Sequence, residues 1–574
     1  MGKIVIASDK IDYKRLVECF NKNHISNFEK KEDDFQINVY RKIRMNSENF
    51  YTEGDDYIIG AGTFFYDHDM GKKALEKIFE AYKEKTLSKS EIVGSYFIGI
   101  KIGNEFTGFI DSGSTYNIYY YLENNKIILT NTYYHLAKIL DKTKVIEENV
   151  VAQCFQCAII GNATIFENIY RLTGNQIIHF SDENWQIEHT RTSKTKKREK
   201  IWEEMYTIYE GGGYFDKTGI FMTGGQDSRL NLAIMLRLGF KPNLYYGVGN
   251  SANTFTKKED EKIVEEIAQK CSLSLTKMDW SETDNTNIDL FLEKYGELGL
   301  LYRFNKNVIK QFEEVIDVDF ICFGYFGEVY RNIESIENLK KNQYTVEEFV
   351  DELYIQRSLH NDYSFYQQYR SLIISQFTEI CIDKGLSPER LDKDDFQKLH
   401  SAYRYRADTV MNNFANQFFY SFPFLGDGTM VELAEKLKFE EKINSRFLMK
   451  GIKFFAPELL DVPFFSHIKV KTLNLNTLEL TDKEKTTYYK DIIRELIRNP
   501  LLIKFLRRIY YILRNDKKGY KEVQENYKEK QTYQEKLCNI YIKGFSAKEL
   551  IKNYEARTLK EVLLYDYMIK KIKE

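Results

Sequence analysis

Proline, cysteine and an excess of either charge are what this sequence has least of. It carries six prolines, the first of them Pro242, and seven cysteines scattered along 574 residues. An odd and dispersed set of cysteines does not form a disulfide framework, so we expect a reducing compartment. The formal net charge of −2 gives neither a basic footprint for nucleic acid nor an acidic tail. Nucleic acid is therefore not expected as a partner.

Long apolar runs are also missing. The first residues contain no stretch long enough for a signal peptide, and nowhere do about 18 apolar residues follow one another without interruption. We therefore expect a cytoplasmic protein without a membrane span. Residues 500–514 form a basic amphipathic segment. This segment either packs against the protein itself or lies on an anionic membrane, so peripheral association stays open.

What the chain does have is enough apolar and charged residues, 43% and 29%, for large cores and a solvated surface. Up to about residue 190 it consists of short strand-like runs such as 57–59, 96–102 and 117–122. Polar turns separate these runs, which predicts a layered α+β domain over residues 1–191. The polar, basic residues 192–200 indicate a linker after that domain.

From about residue 219 the pattern changes, because short apolar strands now alternate with helical segments. This alternation is the signature of a parallel sheet. We expect strands at 219–222, 243–248 and 319–323, and helices at 227–238 and 258–271. The predicted fold class is α/β: the layered N-terminal domain, a Rossmann-like parallel-sheet domain over 200–465, and a charged helical extension over 466–574.

The segment with the clearest chemistry is Met-Thr-Gly-Gly-Gln-Asp-Ser-Arg at residues 222–229, between a predicted strand and a predicted helix. There the backbone N–H groups and the positive helix end converge on an anion. The two glycines let the backbone approach a phosphate, and the two hydroxyl groups can donate to phosphate oxygens. Asp227 offers a hard oxygen ligand for Mg²⁺. The predicted nucleotide-binding residues are Thr223, Gly224, Gly225, Gln226, Asp227 and Ser228.

Thr-Gly-Gly-Gln-Asp-Ser resembles the Ser-Gly-Gly-x-Asp-Ser loop of the N-type ATP pyrophosphatases, in particular the asparagine synthetase and β-lactam synthetase branch. Later segments similar to that family follow in the same order. They are 245–249, the strand whose end holds adenine; 259–261, the start of the next helix; 323–328, a Gly-rich loop; and 406–408 with 423–425. The resemblance implies ATP and Mg²⁺ as cofactors. It adds Gly247, Val248 and Gly324 to the nucleotide site and makes Asp227 the metal ligand.

The sequence also departs from the family pattern. Gly327 stands where the family has an aspartate before its catalytic glutamate, and Gly426 follows Pro-Phe-Leu in place of another aspartate. Residues 419–421 replace a Glu-x-Arg segment, which argues against a dedicated aspartate pocket. The family lysine that steadies pyrophosphate has three candidates here, of which Lys450 is the one predicted to be catalytic: Arg446, Lys450 and Lys453.

The layout of residues 80–180 resembles the glutamine amidotransferase domain that precedes the synthetase domain in this family. The similar segments are 94–97, 111–113 and 164–169. Such a glutaminase uses an N-terminal cysteine. Here position 2 is Gly2, and the first cysteine, Cys19, falls in a predicted helix as a buried small residue. The resemblance therefore points to relatives that keep this domain only as structure.

Two other signals carry no predicted chemistry. Cys154 and Cys157 have a spacing that suits a metal, but no second ligand pair follows at a usable distance. We interpret them as core residues of a helix. The eight histidines are scattered without a paired or triad pattern.

The resemblance predicts a carbon–nitrogen ligase without its own glutaminase. A small-molecule carboxylate would attack the α-phosphate of ATP to form an acyl-adenylate, and an amine would then displace AMP. Glu328 is the candidate base for the amine. Two alternatives stay open: an asparagine synthetase fed by free ammonia, and a non-catalytic ATP-binding scaffold protein, given Gly327.

Overall fold

The computed structural model describes residues 2–140, 143–156, 159–190, 200–210, 215–249, 255–281, 288–296, 301–355, 357–466, 469–482, 533–538, 540 and 542–573. The predicted linker, apart from its last residue, and the amphipathic segment 500–514 lie outside these residues. No helix of the described part is long and apolar enough to cross a membrane.

The N-terminal part contains thirteen strands and four helices among its described residues. The strands are β1 Ile4–Ala7, β2 Ser26–Lys31, β3 Gln36–Tyr40, β4 Phe50–Glu53, β5 Asp56–Tyr66, β6 Asp69–Met70, β7 Val93–Ile102, β8 Glu105–Ile110, β9 Tyr119–Glu123, β10 Lys126–Thr130, β11 Tyr170–Arg171, β12 Gln176–Ser181 and β13 Asn184–His189. The helices are α1 Lys10–Asn21, α2 Gly71–Lys83, α3 Tyr133–Ile139 and α4 Glu147–Gln156.

These strands form two antiparallel sheets, ordered β11-β9-β10-β1-β3-β2 and β13-β12-β8-β7-β5-β4, with β6 on the edge of β5. Successive side chains of a strand point to opposite faces of its sheet. In β1, Ile4 and Ile6 join the apolar core shared by the two sheets, while Val5 and Ala7 face the core under α1 and α3. The second sheet is covered on its outer face by α2. The result is a four-layer helix–sheet–sheet–helix arrangement, so a layered α+β unit is confirmed.

The central unit contains a five-stranded sheet in which every neighbouring pair is parallel. Its strands are β14 Thr218–Phe221, β15 Asn243–Val248, β16 Leu275–Asp279, β17 Phe320–Cys322 and β18 Tyr420–Ser421, in the order β16-β15-β14-β17-β18. The surrounding helices are α5 Ile201–Tyr209, α6 Gln226–Arg237, α7 Phe255–Lys270, α8 Ile288–Lys294 and α9 Lys306–Lys310. The predicted strand–loop–helix units at 219–238 and 243–271 are confirmed within three residues at each end.

Both faces of the parallel sheet are covered, as expected where helices connect parallel strands. Ile220 and Leu244 lie in the core formed with α5, α6 and α7. Phe221, Tyr245 and Ile321 face the opposite way, into the core that also holds α8 and α9. The predicted α/β class with a parallel sheet is therefore confirmed at this level.

Of the remaining helices, the first five lie between β17 and β18, and the others follow β18. They are α10 Glu334–Glu337, α11 Val346–Phe349, α12 Arg357–Asp362, α13 Tyr366–Asp383, α14 Lys393–Asn416, α15 Gly428–Glu435, α16 Phe439–Lys442, α17 Arg446–Phe455, α18 Gln534–Leu537, α19 Ala547–Asn553 and α20 Ala556–Lys573. One apolar core contains residues of α1, the parallel sheet, α14 and α20. Because this core crosses all three predicted domains, their boundaries stay predictions.

The prediction that the chain is helical beyond about residue 466 is wrong at its start. A three-stranded antiparallel sheet is formed there by β19 Phe464–Ser466, β20 Lys469–Asn474 and β21 Glu479–Asp482. The apolar side chains of this hairpin, Val470, Leu473, Leu478 and Leu480, pack against the core beside α6 and α17. The charged residues of this segment had suggested an exposed helix, but its apolar side chains are packed against the core and the segment forms strands.

Candidate functional site

The two predicted glycine-rich loops meet at one end of the parallel sheet. From β14 the chain builds β15 and β16 on one side, and it then crosses back to place β17 and β18 on the other. The order therefore reverses between β14 and β17. In open parallel sheets, ligands bind in the crevice beyond the carboxyl ends of the strands at this reversal. The loops that leave β14 and β17 are residues 222–225 and 323–326.

Hydroxyl groups close the first loop on itself. Ser228 Oγ donates to the carbonyl oxygen of Thr223 at 3.1 Å and accepts from the Thr223 N–H at 3.2 Å. Thr223 Oγ1 lies 3.1 Å from Ser228 Oγ and accepts from the N–H of Gly225 at 3.2 Å. Each hydroxyl has one hydrogen to donate. In this conformation both hydroxyls serve the loop itself, and their predicted role toward phosphate stays a prediction.

Buried polar side chains hold the loop from below. Gly224 donates its N–H to Asp260 Oδ1 at 2.7 Å, and Tyr246 donates its hydroxyl to Asp260 Oδ2 at 3.0 Å. The carbonyl oxygen of Gly224 accepts from the N–H of Phe465 at 2.8 Å and from Arg229 Nη2 at 3.3 Å. The Gly224 peptide is thus fixed on both sides.

Arg229 is fully buried beneath this loop, and its importance was not recognised in the sequence analysis. Its guanidinium stacks 3.7 Å from the centre of the Phe464 ring. It donates hydrogen bonds to a group of carbonyl oxygens, those of Leu459 at 3.1 Å, Val462 at 2.6 Å, Pro463 at 2.6 Å and Gly224. Burial lowers the pKa of Arg229 to about 9. The only available signal was its position directly after the Gly-Gly-Gln-Asp-Ser motif.

The first turn of α6 remains available to an anion. The residue before the helix is Gly225, which offers no side-chain cap, so the N–H groups of the first turn receive no capping side chain. Such a helix end favours a phosphate. Gln226 begins the helix as a buried residue, and its Oε1 has no hydrogen-bond partner among the described residues. This oxygen is an acceptor, so a hydrogen-bond donor of a ligand would satisfy it, whereas phosphate oxygens would not.

Gly324 of the second loop and Gly327 directly after it allow this segment to contact the first turn of α6. A Cβ atom at Gly324 would lie 2.6 Å from Ser228 Cα, and a Cβ atom at Gly327 would lie 2.1 Å from Asp227 Oδ1. Neither position therefore accepts a side chain without displacement of the facing residue. Phe326, between them, has φ of 68°, in the left-handed region that is unfavourable for a bulky residue. Backbone strain of this kind concentrates at functional sites.

Charged side chains meet above these loops. Arg331 contacts Asp227 through two nearly parallel bonds, Nε to Oδ1 at 3.2 Å and Nη2 to Oδ2 at 3.3 Å. Its Nη2 also lies 3.8 Å from Glu328 Oε1. On the other side of Glu328, Oε2 lies 3.2 Å from His400 Nε2, and His400 Nδ1 lies 2.9 Å from the Tyr403 hydroxyl. No local pattern in the sequence points to His400 and Tyr403, since they lie about 70 residues later, on α14.

The predicted magnesium ligand is engaged by the protein itself. Both oxygens of Asp227 face the guanidinium of Arg331. Among the described residues no group of three or more His, Cys, Asp or Glu side chains could hold a metal ion. In this structure the Asp227 carboxylate is paired with Arg331 and is not free to bind a Mg²⁺ ion, so no chemical step is assigned to one. The metal role of Asp227 stays a prediction.

The other predicted site residues lie around the two loops or away from them. Gly247, at the end of β15, is covered by the indole of Trp280, which a Cβ atom there would meet at 2.8 Å. Val248 is partly exposed at the same strand end. Lys450 and Lys453 are exposed on α17, and Arg446 pairs with Glu479. Among the described contacts, none joins these three basic residues to the loop at 223–228.

The N-terminal part offers no nucleophile at position 2. Gly2 is buried, and its N–H donates to the carbonyl oxygen of Tyr40 at 3.0 Å. A Cβ atom at Gly2 would lie 2.6 Å from the carbonyl oxygen of Arg41. Cys19 lies in α1 as predicted but is half-buried rather than buried, and burial raises the pKa of its thiol. Cys154 is buried in α4, while Cys157 lies outside the described residues.

No protein-family model matches the chain, and no curated protein matches it either. Twenty-three chains of known structure match. One is glutamine phosphoribosylpyrophosphate amidotransferase from B. subtilis, complexed with ADP and GMP, at 8% identity and a TM-score of 0.23 over 48% of this chain and 65% of that one. Another, the allosteric regulatory enzyme of purine biosynthesis, has 8% identity and a TM-score of 0.20 over 48% of this chain and 59% of that one. The chain spans less than two thirds of either, and a likeness this weak carries no argument.

Proposed function

We propose that this chain is an ATP-dependent ligase that adenylates a small-molecule carboxylate and transfers the acyl group to an amine. One observation carries the proposal: the loops at 222–225 and 323–326 converge where the strand order reverses, with an uncapped helix end between them. The resemblance of both loops to the asparagine synthetase branch supplies the reaction class.

In the proposed reaction, different groups of the site bind pyrophosphate and transfer the proton. The uncapped first turn of α6 binds the departing pyrophosphate, because its N–H groups carry partial positive charge. Glu328 takes the proton of the attacking amine, since its carboxylate comes from the opposite loop and faces the same crevice. His400 holds Glu328 by a hydrogen bond of 3.2 Å and thereby fixes its orientation. The carboxylate substrate attacks the α-phosphate, and AMP leaves when the amine attacks the acyl carbon.

The N-terminal four-layer unit belongs to the proposal as structure only. We assign it to the amidotransferase-like, Ntn-hydrolase type, in a form that has lost its nucleophile. The filled space at Gly2 supports that reading. The amine is therefore not ammonia released from glutamine by this chain.

The test is exchange of labelled pyrophosphate into ATP, screened over a panel of carboxylic acids. We expect one class of acid to stimulate exchange, and full turnover to release AMP and pyrophosphate. Products of ADP and phosphate would contradict the proposal. Aspartate with ammonia belongs in the panel, because a response to that pair alone would identify an ammonia-using asparagine synthetase.

A second candidate is a catalytically inactive ATP-binding protein. The specific observation in its favour is the ion pair between Arg331 and Asp227. This pair engages the one carboxylate of the segment 222–229. ATP binding without pyrophosphate exchange for any acid in the panel would favour this candidate over the ligase.

A further inference from the structure

The Asp227–Arg331 pair lies where a nucleotide's phosphates would meet the first turn of α6. Asp227 is the second residue of that helix, and its partner Arg331 follows the short 3₁₀ helix Gly327–Val329 that comes after the second loop. The guanidinium binds both carboxylate oxygens. The same planar, two-pronged geometry suits phosphate oxygens. Arg331 is thus a phosphate ligand by shape, and in this structure it is paired with a carboxylate.

The backbone that carries Arg331 is fixed, while its side chain is able to change partner. Gln397 Nε2 donates to the carbonyl oxygen of Arg331 at 2.8 Å, and the next residue, Asn332, donates its N–H to the carbonyl oxygen of Lys442 at 3.0 Å. The side chains of the pair are 25% and 23% exposed. Because both side chains remain partly open to water, the guanidinium can exchange the carboxylate for a phosphate without uncovering a buried charge.

The charges around the loop require a cation. Asp227, Glu328 and Asp260 all lie at or beneath it, and a polyphosphate would add further negative charge. Arg331 is the cation that contacts two of these carboxylates. The guanidinium of Arg229 already donates its hydrogen bonds to carbonyl oxygens below the loop. Arg331 is therefore placed to supply the positive charge that nucleotide sites elsewhere take from a bound metal.

We propose that Arg331 is the diphosphate-binding cation of this site. It exchanges Asp227 for the diphosphate group of ATP or of free pyrophosphate, and both ligands bind without Mg²⁺. This inference rests on the proposed function, because it takes the loop at 223–228 to be a nucleotide site.

Calorimetric titration with ATP and with inorganic pyrophosphate, each in EDTA and in Mg²⁺, tests the proposal on the full chain. Arg331→Met removes the charge and keeps the length, and Asp227→Asn releases the guanidinium from its internal partner. The control is Arg370→Met, which removes a similar pair: Arg370 binds Asp351 at 2.8 Å through two nitrogens and is 23% exposed. Melting curves establish that each variant is folded.

We expect the wild-type Kd to change by no more than about threefold on adding Mg²⁺. Arg331→Met should weaken binding in EDTA at least about tenfold, as for loss of a charge-assisted hydrogen-bonded pair. Asp227→Asn should tighten metal-free binding, and Arg370→Met should leave it unchanged.

Binding that appears only with Mg²⁺, or that Asp227→Asn weakens, would overturn the role of Arg331 and leave the nucleotide site intact. Metal-free binding of pyrophosphate that depends on Arg331, without any binding of ATP, would support Arg331 and count against the ligase. Failure of both ligands to bind under either condition would overturn both proposals.

Discussion

Asp111 and Asp427 are two buried carboxyl groups, one from each half of the chain, and the charge of Asp111 raises the pKa of Asp427. Burial is the larger cause, and together they bring the pKa of Asp427 to about 7. Asp427 caps α15 by accepting from the N–H groups of Thr429 at 3.0 Å and Met430 at 3.2 Å. Asp111 accepts from Thr115 and Tyr116. The junction between the halves therefore contains a proton-sensitive pair.

The first prediction concerns stability and pH. A carboxyl group whose pKa is raised on folding binds more protons in the folded state, so stability is greatest at low pH and falls as the pH rises. For Asp427 the fall lies between the ordinary value of 3.8 and about 7. Asp427→Asn keeps the capping oxygen and removes the titration. We expect the variant to gain unfolding free energy over the wild type from pH 4 to 7, by at least about 1 kcal/mol at pH 7.

The matched control is Asp9, which caps α1 in the same way by accepting from Ile11 and Asp12. There the backbone hydrogen bond from Asp12 lowers the pKa, so the sign reverses and the stabilisation is lost on acidification. Asp9→Asn should therefore be less stable than the wild type at pH 7. Urea titrations across pH measure both differences, and equal signs for the two variants would contradict the argument.

The second prediction concerns Arg229, whose guanidinium lies beneath the loop 222–225. Arg229→Met leaves the carbonyl oxygens of Leu459, Val462 and Pro463 without this donor, while that of Gly224 keeps the N–H of Phe465. At about 1–3 kcal/mol for each buried acceptor, we expect a loss of at least about 3 kcal/mol in unfolding free energy, measured by chemical denaturation. Arg446→Met is the control, because Arg446 forms an exposed pair with Glu479 and its loss should leave the unfolding free energy nearly unchanged. Similar losses for both variants would mean that the carbonyl cluster does not depend on Arg229.

The third prediction separates the two chemical steps of the proposed ligase. Glu328→Gln removes the base and keeps its shape, so pyrophosphate exchange with the true acid should stay near normal. Amide formation should slow by at least about a hundredfold. His400→Gln should shift the pH profile of amide formation and leave that of exchange unchanged, since His400 acts only through Glu328. A parallel fall of exchange and amide formation in Glu328→Gln would place Glu328 in the first step instead.

The fourth prediction concerns glutamine. The purified protein should release no glutamate from glutamine. Gly2→Cys should not create a glutaminase either, because its Cβ atom would meet the carbonyl oxygen of Arg41 at 2.6 Å. A coupled glutamate assay on both proteins is sufficient. Cysteine-dependent glutamate release by the wild type would show that a nucleophile other than residue 2 exists.

Local pattern was enough to predict the loop and its flanking elements. Three patterns that lie next to one another in the sequence predicted β14, the loop and α6: an apolar run, the Gly-Gly pair, and apolar residues at helical spacing. The same reasoning predicted β15, α7 and β17. It did not find β16 or β18, and the two residues of β18 are too few to show a period.

Contacts between residues that are far apart in the sequence leave no local pattern, so they could not be predicted. His400 reaches Glu328 from another helix, and Arg229 is buried although arginine is usually exposed. Residues 469–482 were expected to be helical because their charges suggested solvent. They pair as strands because β19 offers an edge, a condition that only the folded chain supplies.

The shared apolar core joins residues that the ribosome synthesises at widely separated times. Phe155 on α4 stacks on Phe545 at 4.9 Å and meets Tyr554 at 4.8 Å, residues that follow about 390 positions later. At ribosomal rates of roughly 5–20 residues per second, these partners emerge about 20–80 s after α4. Until then Phe155 lacks these two ring partners, so the packing of α4 against the C-terminal residues is completed only when the last helices have left the ribosome.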